Sequence, residues 1–220
     1  MHLLPTNLAS LADLCPKEST KFALVGVHLR VHGDGTYIAE STDAEMLLRV
    51  TGSVVDDAAK YPEVSALKAA PNGEMETIVP AASWSKHFRA AAKLTKKRAL
   101  ANRPDLRSVP VVIGKSQTTM AATDLEQTAV EVAQNVEGRF PPVAEVFPKG
   151  SPAITFAVDP VRLVALLKAL LPFCDDGCQN VVFQVHADQQ GKGTRPIVIT
   201  PAHPLGDQKA AAIIMPRAFS

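Results

Sequence analysis

Hydrophobic positions along the chain form short runs of strand character, separated by three stretches with helical spacing. Apolar residues recur at helical intervals over residues 6–15, 83–97 and 161–171, which predicts three helices. Runs rich in β-branched residues follow each helix and end at glycine, proline or aspartate, which is typical of strands joined by turns. The predicted strands cover residues 22–31, 36–40, 46–50, 76–80, 109–113, 118–123, 128–133, 153–158, 181–186, 196–200 and 210–215.

The predicted helices begin next to residues that are good helix caps. Thr6 or Asn7 can cap the first helix, and Ser83 can cap the second. Asp159 followed by Pro160 is the pattern expected at the start of the third helix. We therefore expect side-chain capping at all three helix starts.

The order of the elements indicates an internal repeat of about 75 residues. Each unit reads strand, helix, strand, strand, strand, and the pairs Thr42-Asp43 and Thr123-Asp124 lie at equivalent places in two of them. Aspartate directly after a strand is an ordinary turn residue, so these pairs favour a structural role over acid–base catalysis. Turns between successive strands predict antiparallel sheets with the helices packed on one face, an α+β fold.

A proline-rich stretch at residues 137–148 separates the second unit from the third. It contains three prolines and two phenylalanines, so it can be neither a helix interior nor a central strand. We expect an extended, partly apolar connector at a junction between structural units.

The overall composition excludes several classes of protein. Hydrophobic residues make up 46% and charged residues 20%, as in ordinary soluble domains. The formal net charge is +1, so any case for nucleic-acid binding must come from local clustering. No apolar run approaches the roughly 20 residues that a membrane-spanning helix needs, so no membrane association is expected.

The candidate chemistry is sparse. The three cysteines, an odd number, are typical of a reducing compartment, so we expect a cytoplasmic protein. Cys174 and Cys178 have no second pair and no nearby histidine, and no histidine forms a nucleophile–base pattern. The sequence therefore predicts no metal site, no cofactor and no catalytic residue, and it does not favour an enzyme.

The second helix carries the clearest functional signal. Trp84, Phe88, Ala91 and Ala92 fall on one side of it, and cations fall on the other side. That basic face contains no Asp or Glu, which favours contact with phosphates, and the alternative is an ordinary solvated helix face. The predicted DNA-binding residues are Lys86, Arg89, Lys93, Lys96, Lys97 and Arg98.

Several short motifs, taken in order, resemble the bacterial DNA polymerase III sliding clamp. Leu4-Pro5, residues 21–26, Thr42-Asp43, residues 78–80 and residues 138–141 follow the order of that family's middle domain. Residues 153–220 resemble the second half of its last domain, and residues 213–217 resemble its C-terminal tail.

The resemblance implies the sliding-clamp fold, with strands outside and helices lining a ring. It implies one complete clamp-like domain over residues 1–150, made of units at about 1–72 and 76–150, and half of a domain over residues 151–220. An unpaired half leaves a sheet edge uncovered. We therefore expect a homo-oligomer: a dimer through residues 151–220, or about four chains if a closed ring needs about twelve units.

The resemblance also implies partners. Clamps encircle duplex DNA without reading its sequence, and they hold DNA polymerases, the clamp loader and repair proteins through linear peptide motifs. The alternative is a clamp-fold interaction module that binds clamp partners, or the clamp itself, without encircling DNA.

The peptide cleft of the family lies between the middle and last domains. The positions that match it here are Thr42, Leu47, Pro141, Val146, Ile213, Met215 and Pro216. The alternative is that these apolar residues only pack a junction between units. Ala44-Glu45-Met46 replaces the family's Gly-His-Arg, and Glu145 stands where an arginine is expected. These departures change the polar rim of the cleft more than its apolar floor.

Overall fold

The structure is a computed structural model that divides into two compact units, unit 1 (Met1–Phe147) and unit 2 (Pro148–Ser220). The structure describes the whole chain except residues 19–21, 55–60, 66, 68–73, 95–105, 107, 149, 153–154, 176, 187–195, 206–209 and 218–220.

Unit 1 contains eight strands, one α-helix and one long 3-10 helix among its described residues. In chain order they are β1 (His2–Pro5), the 3-10 helix η1 (Thr6–Leu14), β2 (Gly26–Val31), β3 (Thr36–Thr42), β4 (Leu47–Ser53), β5 (Met75–Pro80), α1 (Ala81–Leu94), β6 (Ser108–Ile113), β7 (Gln117–Thr123) and β8 (Thr128–Gln134). Short 3-10 turns lie at Phe22–Val25 and Val143–Glu145. We call β1 to β4 with η1 repeat 1, and β5 to β8 with α1 repeat 2.

The two repeats of unit 1 exchange their leading strands. One sheet has the order β1-β6-β7-β8 and the other β4-β3-β2-β5, and every pairing is antiparallel. The strand that leads into each helix therefore pairs with the first strand after the other helix. This exchange ties the two repeats together, because neither sheet is complete without a strand from the other repeat.

The core of unit 1 lies between the two sheets and the two helices. Trp84 and Phe88 of α1 are fully buried and stack with ring centroids 4.1 Å apart. The indole Nε1–H of Trp84 donates to the carbonyl of Leu8 in η1 at 2.8 Å. Ala91 is also buried, so the predicted apolar side of this helix is confirmed for these three residues.

Unit 2 holds one further repeat with a smaller sheet. Its described elements are α2 (Pro160–Leu170), a 3-10 turn at Leu171–Phe173, β9 (Val181–Val185), β10 (Ile197–Pro201) and β11 (Ala212–Ile214). The strands form an antiparallel sheet in the order β11-β10-β9. Leu170, Ile197, Ile199 and Ile214 form its buried core.

The predicted α+β class with antiparallel sheets is confirmed, and two of the predicted helix caps are wrong. The first helix is a 3-10 helix, and extended Pro5 occupies its cap position, so neither Thr6 nor Asn7 caps it. The second helix begins at Ala81, directly after Pro80 ends β5, so Ser83 lies inside the first turn. A proline fixes φ near the helical value, and the strand can pass into the helix without a separate cap.

The third predicted helix start is confirmed. The carboxylate of Asp159 accepts the backbone N–H groups of Val161 and Arg162 at 3.0 and 3.3 Å, and Pro160 is the first helical residue. None of the described helices is long and apolar enough to cross a membrane.

The strand predicted at residues 153–158 is absent over its described part. Ala157 forms a single antiparallel bridge with Arg217, and Thr155, Phe156 and Val158 pair with no strand that the structure describes. In unit 1 each leading strand pairs with the sheet of the other repeat. Unit 2 contains only one repeat among its described residues, so its leading segment has no such sheet to join. Residues 153 and 154 lie outside the described residues.

Candidate functional site

The Thr42-Asp43 pair closes the turn between β3 and β4. The Thr42 hydroxyl donates to the carbonyl of Met46 at 2.6 Å and accepts the N–H of Ala44 at 3.0 Å. The Asp43 carboxylate accepts the N–H groups of Glu45 and Met46 at 2.9 and 2.7 Å. Side-chain oxygens thus replace the strand neighbours that these turn amides lack.

The same turn recurs between β7 and β8. The Thr123 hydroxyl donates to the carbonyl of Gln127, and the Asp124 carboxylate accepts the N–H groups of Glu126 and Gln127. The third turn residue has a positive φ in both places, 83° at Ala44 and 76° at Leu125. The structural role predicted for both Thr-Asp pairs is confirmed.

The first of these turns forms one side of an apolar groove in unit 1. The opposite side comes from the connector that follows β8. The groove has a volume of about 230 Å³, and it is lined by Leu24, Thr42, Ala44, Glu45, Met46, Leu47, Pro141, Val143 and Val146. The structure therefore brings together all four predicted cleft residues of unit 1.

The connector is held in place by stacking and burial. The Phe140 ring lies on the imidazole of His28, with centroids 4.6 Å apart and an interplanar angle of 15°. Phe140 and Val143 are buried in a small cluster with Ala23 and Ile78. The groove wall therefore rests on the outer face of the β4-β3-β2-β5 sheet.

A row of charged groups crosses the sheet beneath the connector. His28 lies between two carboxylates, with Nδ1 2.9 Å from Glu40 and Nε2 2.7 Å from Glu76. Arg49 of β4 pairs with Glu40, and Arg30, which lies on β2 as His28 does, pairs with Glu76 of β5 at 3.1 Å. The two buried members, His28 and Glu40, thus find their partners within the row, which is what burial of such groups requires.

The two carboxyl groups of this row have lowered pKa values. Burial raises the pKa of Glu40, but hydrogen bonds and charge from His28 and Arg49 outweigh it and hold that pKa below the ordinary 4.5. The pKa of Glu76 is lowered in the same way, because His28 and Arg30 outweigh the effect of its partial burial. Both side chains therefore stay ionised at neutral pH.

The far end of the connector is fixed by the same row. The Arg49 guanidinium lies over the Phe147 ring, 4.6 Å from its centroid, in a cation–π contact. The groove wall between Phe140 and Phe147 is thus anchored at both ends. The sequence alone does not reveal this arrangement, because the partners of His28 are brought together only by strand register. The pairing of His28 with Glu40 and of Glu40 with Arg49 across β2, β3 and β4 supplies that register.

The remaining predicted cleft residues lie in unit 2. Ile213, Met215 and Pro216 line a second pocket of about 330 Å³ within that unit, together with Asp159, Arg162, Leu166, Ile214 and Arg217. Ile213 and Met215 are exposed hydrophobic side chains. Each unit therefore presents its share of the predicted positions in a pocket of its own.

The basic face of α1 is less one-sided than its sequence predicts. Lys86 pairs with Glu131 of β8 at 2.8 Å, and Arg89 pairs with Asp13 of η1. The Lys86 ammonium holds the pKa of Glu131 below its ordinary value. The helix itself contains no Asp or Glu, as the sequence shows, and these acidic partners come from other elements that pack beside it.

The cations of α1 nevertheless stay accessible to solvent. The side chains of Lys86 and Arg89 are 72% and 52% exposed, and Lys93 is exposed as well. Exposed pairs of this kind contribute little, about 0–1 kcal/mol, so their cations can exchange partners. The predicted DNA-binding residues Lys96, Lys97 and Arg98 lie outside the described residues.

No family model matches this sequence, and no curated protein matches it. Solved structures do match the fold. The DNA polymerase sliding clamp from Pseudomonas aeruginosa superimposes with a TM-score of 0.64 at 15% identity, covering 96% of this chain and 48% of that chain. The sliding clamp from Bacillus subtilis gives a TM-score of 0.65 at 15% identity and covers 98% and 48%.

The beta subunit from DNA polymerase of Streptococcus pyogenes gives a TM-score of 0.64 at 15% identity, covering 98% of this chain and 50% of that chain. The chain thus spans about half the length of the clamps it matches. The TM-scores show a shared fold, and the resemblance read from the short motifs is confirmed at that level. This chain has the sliding-clamp fold.

Proposed function

We propose that this protein is a clamp-like processivity factor without catalytic chemistry of its own. As an oligomer it encloses duplex DNA, and it tethers replication or repair proteins through its apolar groove. The observation that carries this proposal is the groove of unit 1, where Thr42, Leu47, Pro141 and Val146 line one pocket. In this proposal the protein works in the cytoplasm, where its three free cysteines remain reduced.

The chemistry of the groove supports capture of a short linear peptide. Its floor and walls are mainly aliphatic. The Thr42 hydroxyl donates its hydrogen bond to the Met46 carbonyl within the turn, so this donor is not free to bind a ligand. A volume of about 230 Å³ accepts one or two large apolar side chains. Apolar anchors in preformed pockets of this kind are a common way to hold an extended or helical motif.

The rim of the groove selects for basic motifs in this proposal. Glu45 lines the pocket, and Glu145 is exposed on the connector beside Val146. Complementary charge steers a partner and helps reject partners of the wrong sign. The preferred partner segment therefore carries one or two large apolar side chains next to a lysine or arginine.

The cations of α1 supply the contact with DNA in this proposal. Lys86, Arg89 and Lys93 are exposed, and a phosphate can replace the carboxylate partners of the first two. Contacts between cations and phosphates carry no sequence information, and they allow a protein to move along a duplex.

A second candidate is a clamp-fold interaction module that uses the groove without enclosing DNA. It is favoured by the pairing of Lys86 with Glu131 and of Arg89 with Asp13, which lowers the net positive charge of the α1 face. The two candidates share the groove and differ only in DNA binding. Separate experiments therefore test the two parts.

The groove is tested by selection from a random pentapeptide display library. We expect enriched peptides to carry apolar residues beside a basic one. Val146→Asp should weaken binding of a selected peptide by at least about tenfold, because a carboxylate enters an apolar contact. Val146 is 70% exposed, so the change leaves the fold intact. Val132→Asp, at another exposed valine in unit 1, is the matched control. Equal binding by both variants would remove the groove from the proposal.

Enclosure of DNA is tested with a plasmid. The full chain should remain on a closed circular duplex during gel filtration and should leave the same duplex after it is cut once. Changing Lys86, Arg89 and Lys93 together to glutamine should lower retention. The slope of log affinity against log salt concentration should also fall, by the amount expected for the loss of up to about three phosphate contacts. Retention that linearisation does not change would favour binding without enclosure, and no retention at low salt would favour the interaction module.

A further inference from the structure

Unit 2 contains half of the arrangement that completes unit 1. In unit 1, β5 leads into α1 and pairs with β2, while β1 leads into η1 and pairs with β6. Unit 2 has one helix, α2, and the segment Thr155-Phe-Ala-Val158 leads into it. That segment has no strand neighbour among the described residues apart from the bridge between Ala157 and Arg217.

The segment before α2 nevertheless occupies the same position in its repeat that β5 occupies in repeat 2. The N–H of Arg217 donates to the carbonyl of Ala157 at 2.8 Å, and the N–H of Val136 donates to the carbonyl of Ile78 at 2.8 Å. Each acceptor lies three positions before its helix, and each donor follows the last strand of its repeat. The leading segment of unit 2 is thus already placed as a leading strand, with its other edge unpaired in the described chain.

The strand edge that could receive such a segment is the unpaired edge of β9. β2 and β6, the first strands after the helices of unit 1, each have a strand on both sides. β9 is the first strand after α2, and it pairs only with β10 among the described strands. β2 and β6 are almost wholly buried, whereas Val182 and Phe183 of β9 are 43% and 42% exposed.

The helix of unit 2 also lacks the cover that α1 has. Trp84 and Phe88 of α1 are buried against η1 and the sheets of unit 1. On α2, Val161 is 78% exposed, and Val164 is also exposed. β9 reads Val-Val-Phe-Gln-Val and carries none of the charges or prolines that protect an exposed strand edge.

We propose that two copies of this chain exchange the segments 155–158, so that each segment pairs antiparallel with β9 of the partner copy. The strand pairing of unit 1 sets the register. Leu4 pairs with Val109 and Val79 pairs with Val27, so a residue two positions before the helix meets the first core residue of the receiving strand. Val109 of β6 and Val181 of β9 occupy equivalent positions. Each lies four residues before the last residue of its strand, and that last residue pairs with the next strand: Ile113 with Thr118, and Val185 with Ile197.

The resulting register is specific. Val158 pairs with Val181 of β9 in the partner copy, Ala157 with Val182, and Phe156 with Phe183. Phe156 and Phe183 then meet on the core side of the new four-stranded sheet, and an aromatic cross-strand pair of this kind stabilises the pairing. A second copy is the occupant because it both supplies the missing strand and accepts one in return, as the repeats of unit 1 do for each other. Such a reciprocal contact closes with twofold symmetry.

This inference names the contact behind the oligomer of the proposed function, and its tests use no DNA and no peptide. Failure of the exchange would leave the groove intact, and failure of peptide or DNA binding would leave the exchange intact. The two ideas can therefore be judged apart.

The register is tested by disulfide formation between two singly substituted chains. Ala157→Cys and Val182→Cys are made separately, mixed, incubated and oxidised under mild conditions. Directly opposed residues on antiparallel strands have Cβ atoms about 4.5–5.5 Å apart, close enough for a disulfide after small shifts. We expect a covalent dimer of twice 23.4 kDa from the mixture, and none from either variant alone or from the unsubstituted chain with its free cysteines.

Two other results would overturn the exchange. Cross-linking of Val182→Cys with itself would show that two β9 edges pair directly. No cross-link from the mixture, with a monomer by light scattering at micromolar concentration, would show that the copies do not associate.

A second variant tests the edge without a covalent bond. Val182→Lys places a charge beside the incoming strand and should shift the light-scattering mass to that of a monomer. Val132→Lys, on an exposed position of β8 in unit 1, should leave the dimer intact. If both variants remained dimeric, the copies would associate through another surface.

Discussion

The Phe140 ring lies flat on the imidazole of His28, and this contact joins the groove wall to a row of charged groups whose central members, His28 and Glu40, are buried. The ring centroids are 4.6 Å apart. Phe140 begins the connector segment that carries Pro141, Val143 and Val146 into the groove. The shape of the groove therefore depends on a contact outside it, and several measurable consequences follow.

Phe140→Ala should destabilise unit 1 and loosen the groove together. Phe140 is buried, and truncating a buried phenylalanine costs about 3–5 kcal/mol. Chemical denaturation followed by circular dichroism measures the loss, and peptide affinity of the folded fraction should fall as well. Phe140→Leu, which keeps much of the apolar volume, should recover most of the stability. Unchanged peptide affinity in a folded Phe140→Ala protein would show that the wall is held by other contacts.

Glu40→Gln should remove part of the acid sensitivity of unit 1. The folded-state pKa of Glu40 lies below its ordinary value of 4.5, so its contribution is present above that pH. The contribution is lost as the pH falls through the lowered pKa, because the unfolded chain then binds the proton more readily. The variant should lose roughly 2 kcal/mol at pH 7, because it gives up charged hydrogen bonds to His28 and Arg49.

The difference between the native chain and Glu40→Gln should therefore shrink as the pH is lowered below 4.5. Denaturant titrations at a series of pH values measure it. Glu145→Gln, on the exposed part of the connector, is a matched control and should show no such change. A difference that stays constant down to the lowest pH would contradict this account of the charged row.

Ala44→Gly should stabilise the chain by roughly 0.5–1 kcal/mol, although glycine usually weakens a fold. Ala44 has a φ of 83°, which an L-residue adopts at a cost and glycine adopts freely. Thermal unfolding measures the gain. Ala90→Gly, inside α1, is the matched control and should lose about 1 kcal/mol. A loss at both positions would mean that the turn tolerates alanine without strain.

Asp13→Asn with Glu131→Gln should raise affinity for duplex DNA. The two changes release Arg89 and Lys86 from their carboxylate partners, so both cations can neutralise phosphates. We expect roughly a threefold to tenfold gain at low salt and a steeper dependence on salt concentration. Fluorescence anisotropy with two unrelated duplexes measures both. Equal affinity in the variant and the native chain would mean that this face does not meet DNA.

The sequence predicted those features that depend on neighbouring residues. Asp159 with Pro160 specified a helix start, and the two Thr-Asp pairs marked equivalent turns. Both follow from hydrogen bonds between residues only two to four positions apart. The four groove residues of unit 1 followed from the order of short motifs.

Features that depend on distant pairing could not be predicted in the same way. Periodicity cannot show that β1 joins the sheet of repeat 2, because both sheets would bury the same alternating pattern. The acidic partners of Lys86 and Arg89 are 45 and 76 positions away along the chain. The row around His28 likewise exists only once the register of four strands, β4, β3, β2 and β5, is known.

The strand exchange in unit 1 has a consequence for synthesis of the chain. His2–Pro5 can find its partner only after Ser108–Ile113 has left the ribosome. At ordinary rates of about 5–20 residues per second, the first strand waits roughly 5–20 seconds without a neighbour. Its apolar Leu3 and Leu4 are unprotected for that time, so β1 is the strand of unit 1 that a chaperone would engage during synthesis.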